Sequence, residues 1–137
     1  MFGDWMGPVG LAAVAIGGIC FFLAHRVIDG ALRELPESLA RAADERMSRL
    51  DRAIGVIAVA VAIYYVARQL GHGREGLSAC VAILIVNAAV VAILRVRWFG
   101  EIGAPPALAA RHRWGALVQM AGAWIGFAGC AIYLLRP

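Results

Sequence analysis

Lysine and threonine are absent from this chain, and serine occurs only as Ser38, Ser48 and Ser78. None of those serines sits in a nucleophile-elbow pattern, so hydroxyl-based covalent catalysis has no foothold. There is also no His-Glu-x-x-His segment, phosphate-cradling loop or dinucleotide fingerprint. Cysteine is scarce: Cys20, Cys80 and Cys130 each lie inside an apolar run, with no Cys-x-x-Cys pair. Zinc sites and disulfide frameworks need spacings that are missing here, so no metal is expected and the thiols read as small packing residues. A Cys80–Cys130 disulfide stays open as a minor alternative, because both residues fall at similar depth near one membrane face.

Charge is missing where it matters most. Four apolar runs, at about residues 6–24, 53–70, 77–94 and 114–135, carry no ionised side chain between the arginines that bound them. Ion-coupled transporters and proton pumps hold their ion on an intramembrane acid, base or histidine. The chain is therefore a poor candidate for active transport, and, with no catalytic set, it is expected not to be an enzyme.

What is present points to lipid. The chain is 62% hydrophobic over 137 residues. A domain of this size could not bury that much apolar surface in a core of its own. Each run approaches the roughly 20 residues needed to cross about 30 Å of hydrocarbon. The second is shortest, with Arg52 and Arg68 able to snorkel from its two ends. The expected fold is an all-α, integral membrane four-helix bundle forming one domain, 1–137, with an amphipathic helix at about 36–52 between spans 1 and 2. The first run follows an uncharged and acidic start (Met-Phe-Gly-Asp) rather than a positive one, so it reads as a retained span and not a signal peptide.

All thirteen basic residues counted toward the net charge of +4 are arginines. Ten lie in the two segments 25–52 and 95–113, against Arg68, Arg74 and Arg136 on the other side. The positive-inside rule then places both large segments in the cytoplasm and both termini outside, across a cell inner membrane. Arginines gathered at the ends of apolar runs are topology determinants, so nucleic acid is not an expected partner.

Within 25–52, Pro36 should break the chain, and Leu39, Met47 and Leu50 recur at helical spacing behind it. Six acids balance six arginines there, whereas surface-seeking helices carry a broad apolar face and excess positive charge. A contact with another protein, rather than the headgroup plane, is expected for this stripe. In span 4, Gly122, Gly126 and Cys130 are four apart, leaving one face nearly bare for close helix packing. Asn87 in span 3 and Gln119 in span 4 read as interhelical hydrogen-bonding groups, with a pore-lining or ligand-binding role as the sharper alternative. His25 and His112 both fall at the cytoplasmic interface. They read as snorkelling residues, with ligation of haem or a pigment as the weaker possibility.

These features lead to a non-catalytic accessory or assembly subunit of a larger membrane complex, for which an energy-transducing assembly would be one natural host. Its partners would be the bilayer and other membrane subunits. The alternatives are a self-assembling small channel or holin-type effector, which would be a homo-oligomer, and a haem- or pigment-binding anchor.

Overall fold

The computed structural model describes residues 3–135 and forms five helices: α1 (Gly3–Arg33), α2 (Glu37–Ser48), α3 (Arg52–Gln69), α4 (Gly73–Glu101) and α5 (Pro106–Leu134). Arg136 and the two chain ends, on which part of the topology argument rests, lie outside the described residues. Four stretches are long and apolar enough to cross a membrane, so this is an all-α, multi-pass membrane protein. Hydrocarbon offers no water to an unpaired N–H or C=O, and the helix satisfies both within one segment.

The helices outrun the apolar runs. α1 continues through His25 to Arg33, α4 ends at Glu101 and α5 starts at Pro106. The polar segment 95–113 is therefore helical except around 102–105. Hydropathy marks where lipid ends; backbone hydrogen bonding carries the helix onward into the polar layer. At about 1.5 Å per residue, the 29 residues of α4 span about 43 Å, well beyond the hydrocarbon thickness.

Chain breaks fall where the chemistry demands them. Pro36 precedes α2 with φ −53° and ψ 145°, and Pro105 precedes α5 with nearly the same geometry. α3 ends at a left-handed glycine, Gly71, with φ +83°, while the His72 N–H donates back to Ala67 O. Glycine adopts that conformation at no steric cost. Between α2 and α3 the helix tightens into one 3-10 turn, Arg49–Asp51, rather than stopping. Ser48 Oγ donates to Glu45 O at 2.8 Å just before it, and such back-bonding bends a helix.

The spans lie in one row, ordered α1–α5–α4–α3, with antiparallel neighbours and the most extensive contact between α1 and α5. That pair is built on a seven-residue repeat of small residues in both helices. A Cβ added at Gly17 would lie 2.5 Å from Gly122 O, and one added at Gly122 would lie 2.8 Å from Gly17 O. One turn-pair outward, Gly10 and Gly129 stand in the same reciprocal relation, at 2.8 and 2.7 Å. Toward the arginine-rich end, Gly115 faces Ala24 and Ile28. A strict seven-residue period keeps such a seam facing its partner in a gentle left-handed crossing.

At the arginine-rich end the chain makes a small core of the soluble type. Leu35, Ala43, Phe99 and Leu108 are buried together, with Leu39 and Met47 packed against them. Two ion-pair groups bind its rim: Glu101 receives Arg97 at 2.9 Å and Arg46 at 3.1 Å, and Glu34 receives Arg111 at 2.8 Å. The apolar stripe of α2 is thus met by the ends of α1, α4 and α5 of the same chain. Its protein contact is internal, and no second protein is needed to explain it.

Candidate functional site

A groove of about 210 Å³ is bounded by α3, α4 and α5, with Phe21 of α1 at one margin. Its walls are apolar: Ile54 and Ile57 from α3, Leu84 and Val91 from α4, Met120 and Phe127 from α5. Three polar side chains enter it: Asn87, Arg95 and Gln119. Asn87 and Arg95 are eight apart on α4, and Gln119 faces them from α5, so the polar groups lie along one wall seam rather than scattered over the surface.

Arg95 Nη1 donates to Gln119 Oε1 at 3.3 Å, and Gln119 is 9% exposed. The carboxamide therefore fixes the direction of the guanidinium at the arginine-rich mouth of the groove. Asn87 Nδ2 donates to Ala53 O at 3.5 Å, a long bond tying the middle of α4 to the start of α3. Trp124 Nε1 donates to Ile85 O at 3.0 Å, pinning α5 to α4 on the same level. The site thus offers a permanent positive charge and two amides. Such groups bind and orient; none is a nucleophile or a proton-transferring acid.

The other sequence-selected residues are placed as follows. Leu50 is buried and lines the groove, while Leu39 and Met47 belong to the core at the arginine-rich end. Gly122 lies in the α1–α5 seam. Gly126 contributes backbone to it, since a Cβ on Gly17 would come within 2.5 Å of Gly126 N, but a Cβ on Gly126 itself would meet nothing. Cys130 is exposed, away from that seam, so the bare face of α5 runs through 115, 122 and 129 rather than 122, 126 and 130. Cys80 is buried beside Ala60 and Leu84, and both thiols are free.

The two histidines differ. His25 sits half exposed with Nε2 3.5 Å from Asp29 Oδ2, one turn along α1. His112 is not a snorkelling residue: it is fully buried and stacked on Phe99, with ring centroids 4.1 Å apart and planes 2° from parallel. Neither of its ring nitrogens has a hydrogen-bond partner. α5 begins at Pro106, six residues before His112, so the ring stays inside the helical bundle instead of reaching from a loop to the headgroups. No group of three or more metal-ligating side chains occurs among the described residues.

Arg95 is the site residue that sequence reasoning passed over, because it was counted as a topology charge at the edge of a span. Its signal was positional: Arg95, Val91 or Ala92, Ala88 and Asn87 share one side of a helix, which places the guanidinium above the amide. Gly10 and Gly17, matched in spacing to Gly122 and Gly129, likewise carried the pairing of the first and last spans. No protein-family model, curated protein or solved structure matches this chain.

Proposed function

We propose that this chain is a non-catalytic accessory or assembly subunit of a larger membrane complex. The observation that carries the reading is the open row of spans. α3 packs along one flank only, against α4, and 12–22% of the residues in each apolar window are buried within the chain. Membrane helices are held by close van der Waals packing and interhelical hydrogen bonds. An edge span with one neighbour leaves its remaining flank for another subunit.

The groups that a self-assembling channel would point at a shared axis are used inside the chain instead. Gly122 is covered by α1, Gln119 accepts from Arg95, and Asn87 donates to Ala53 O. This supports the subunit reading over a homo-oligomeric pore. The orientation that ten arginines against three favour puts the arginine-rich core and the two large polar segments in the cytoplasm, with both termini outside.

Purification of the tagged full chain in mild detergent, followed by mass analysis of what co-migrates, tests the role. Unlike membrane proteins in fixed stoichiometry are expected. A single species, alone or in a ring, overturns it. Thiol labelling of cysteines introduced at Ser38 and His72, in a chain freed of its own cysteines, tests the orientation: only the position-72 label should react from outside.

A further inference from the structure

The groove between α3, α4 and α5 holds one buried side chain whose hydrogen-bonding capacity is only half used. We propose that the groove binds a neutral isoprenoid quinone, a ring carbonyl accepting from Gln119 Nε2 and the prenyl tail lying along the apolar walls. This goes beyond the subunit role and stands independently of it.

Three observations carry it. The first is the orientation of Gln119. A guanidinium can only donate, so the 3.3 Å bond from Arg95 Nη1 fixes Oε1 on the arginine's side and leaves Nε2 on the other. Gln119 is 9% exposed, lines the groove, and makes no other hydrogen bond among the described residues. Its N–H groups are donors without an acceptor, which is costly when buried, and lipid tails cannot accept from them. Arg95 enters only as the neighbour that sets the amide's direction; its charge and its own N–H groups take no part in the binding.

The second observation is the shape of the walls. Ala88 and Ala92 on α4 and Ala116 and Ala123 on α5 give short side chains, with Phe21 and Phe127 beside them. A slot of about 210 Å³ with such walls suits a flat ring. Water suits it poorly, since each molecule needs about two to four polar partners. A carbonyl oxygen meets a neutral amide without carrying charge into hydrocarbon. The third is length. Arg95 and Leu84 both line the groove eleven residues apart on α4, about 16 Å along the axis. A ring at Gln119, beside Arg95, leaves the part walled by Ile57 and Leu84 for a prenyl tail.

The other cavities fit this ligand less well. One of about 530 Å³ joins Arg68 and Arg74 with Glu75 and is mostly polar. Another, about 410 Å³, has Asn87 as its one polar side chain, and Asn87 Nδ2 is engaged with Ala53 O.

The test is native mass spectrometry of the full chain in neutral detergent, titrated with a two-prenyl benzoquinone and, separately, the same prenyl chain on a plain benzene ring. The wild type should hold one quinone with about tenfold preference over the oxygen-free ring, near what one buried hydrogen bond supplies. Gln119→Glu, ionised beside Arg95, keeps an oxygen toward the guanidinium and removes the N–H donors, so it should abolish the preference. Ala88→Phe, which fills the slot, should weaken binding of both probes. Ala128→Phe, at an exposed position of α5 outside the groove, should change neither. In infrared difference spectra, a ring carbonyl stretch of the bound quinone should fall below its value in detergent alone. Equal retention of the two probes by the wild type overturns the proposal. So does a preference that survives Gln119→Glu, or a loss in Ala128→Phe equal to that in Ala88→Phe. A helix of a second copy or of another subunit cross-linked across position 88 also overturns it. If Gln119→Glu does not fold, the wild-type carbonyl stretch decides, and an unshifted band rules the contact out. Loss of unlike partners in the purification described above would leave this binding untouched, so the two readings fail separately.

Discussion

The two halves of the spanning region solve the same packing problem in different ways. α1 and α5 press backbone to backbone along Gly10, Gly17, Gly115, Gly122 and Gly129, with no space for even one added carbon at several points. α3 and α4 also meet closely at one point, where a Cβ on Gly76 would collide with that of Ala67, but toward the arginine-rich end they and the facing side of α5 leave a groove containing a guanidinium and two carboxamides. Lipid tails are as apolar as leucine, so burying apolar surface gives little drive between spans. Rigidity must then come from closeness, and the glycine seam supplies it. Continuous close packing and open space are divided between the two ends of the row.

Mutation can break that division, and the glycine seam should respond most. Gly122→Leu drives a side chain into the Gly17 carbonyl and the Phe21 N–H, and should cost about 2–4 kcal/mol of bundle stability. Titration with a denaturing detergent, followed by helicity and Trp fluorescence, measures it. Gly18→Ala, where nothing lies within 4 Å of an added Cβ, should stay within about 0.5 kcal/mol of wild type. Equal losses at both positions would show that the seam is not what holds the pair.

The arginine-rich core gives the next largest effect, and its sign is informative. His112→Ala removes the ring stacked on Phe99 and should destabilise by about 2–4 kcal/mol through the cavity left behind. His112→Phe keeps the volume and removes two buried nitrogens that lack partners, so it should be neutral or stabilising by about 1 kcal/mol. The same unfolding titration reads both. A His112→Phe chain as unstable as His112→Ala would mean that the imidazole nitrogens are used in the native protein.

The smallest effects belong to the groove side and the rim. Asn87→Leu gives up the long bond to Ala53 O and should cost about 0.6 kcal/mol, the average for interhelical bonds between spans. Glu34→Gln removes an exposed pair with Arg111. It should cost about 0.5 kcal/mol at low ionic strength and nothing measurable in high salt. A salt-insensitive loss there would indicate a tighter, less solvated rim than the geometry gives.

Much of the fold was legible from residue order because lipid is an unforgiving solvent. Four runs free of charge between their flanking arginines must be helices, and Pro36 must break the chain ahead of α2. Less of the site was legible. Asn87 and Gln119 stood out as polar residues in apolar runs, but Arg95 did not, since an arginine at a span's edge reads as an anchor until the helix is known to continue to Glu101. Likewise, four-residue spacing drew the eye to Gly126 and Cys130, while the seam follows the seven-residue spacing of 115, 122 and 129. That spacing becomes meaningful only beside its counterpart in α1, more than ninety residues away in the chain.

Composition and charge order alone determined that this chain is a set of membrane-crossing helices, because hydrocarbon tolerates neither unpaired backbone nor stranded charge. Which helix lies beside which, that the stripe of α2 is covered by its own chain, that His112 is sealed against Phe99, and that Arg95 crowns a groove were decided only by tertiary structure. Those depend on distances between residues remote in sequence, and apolar helices of similar composition offer a linear reading no means of choosing among neighbours.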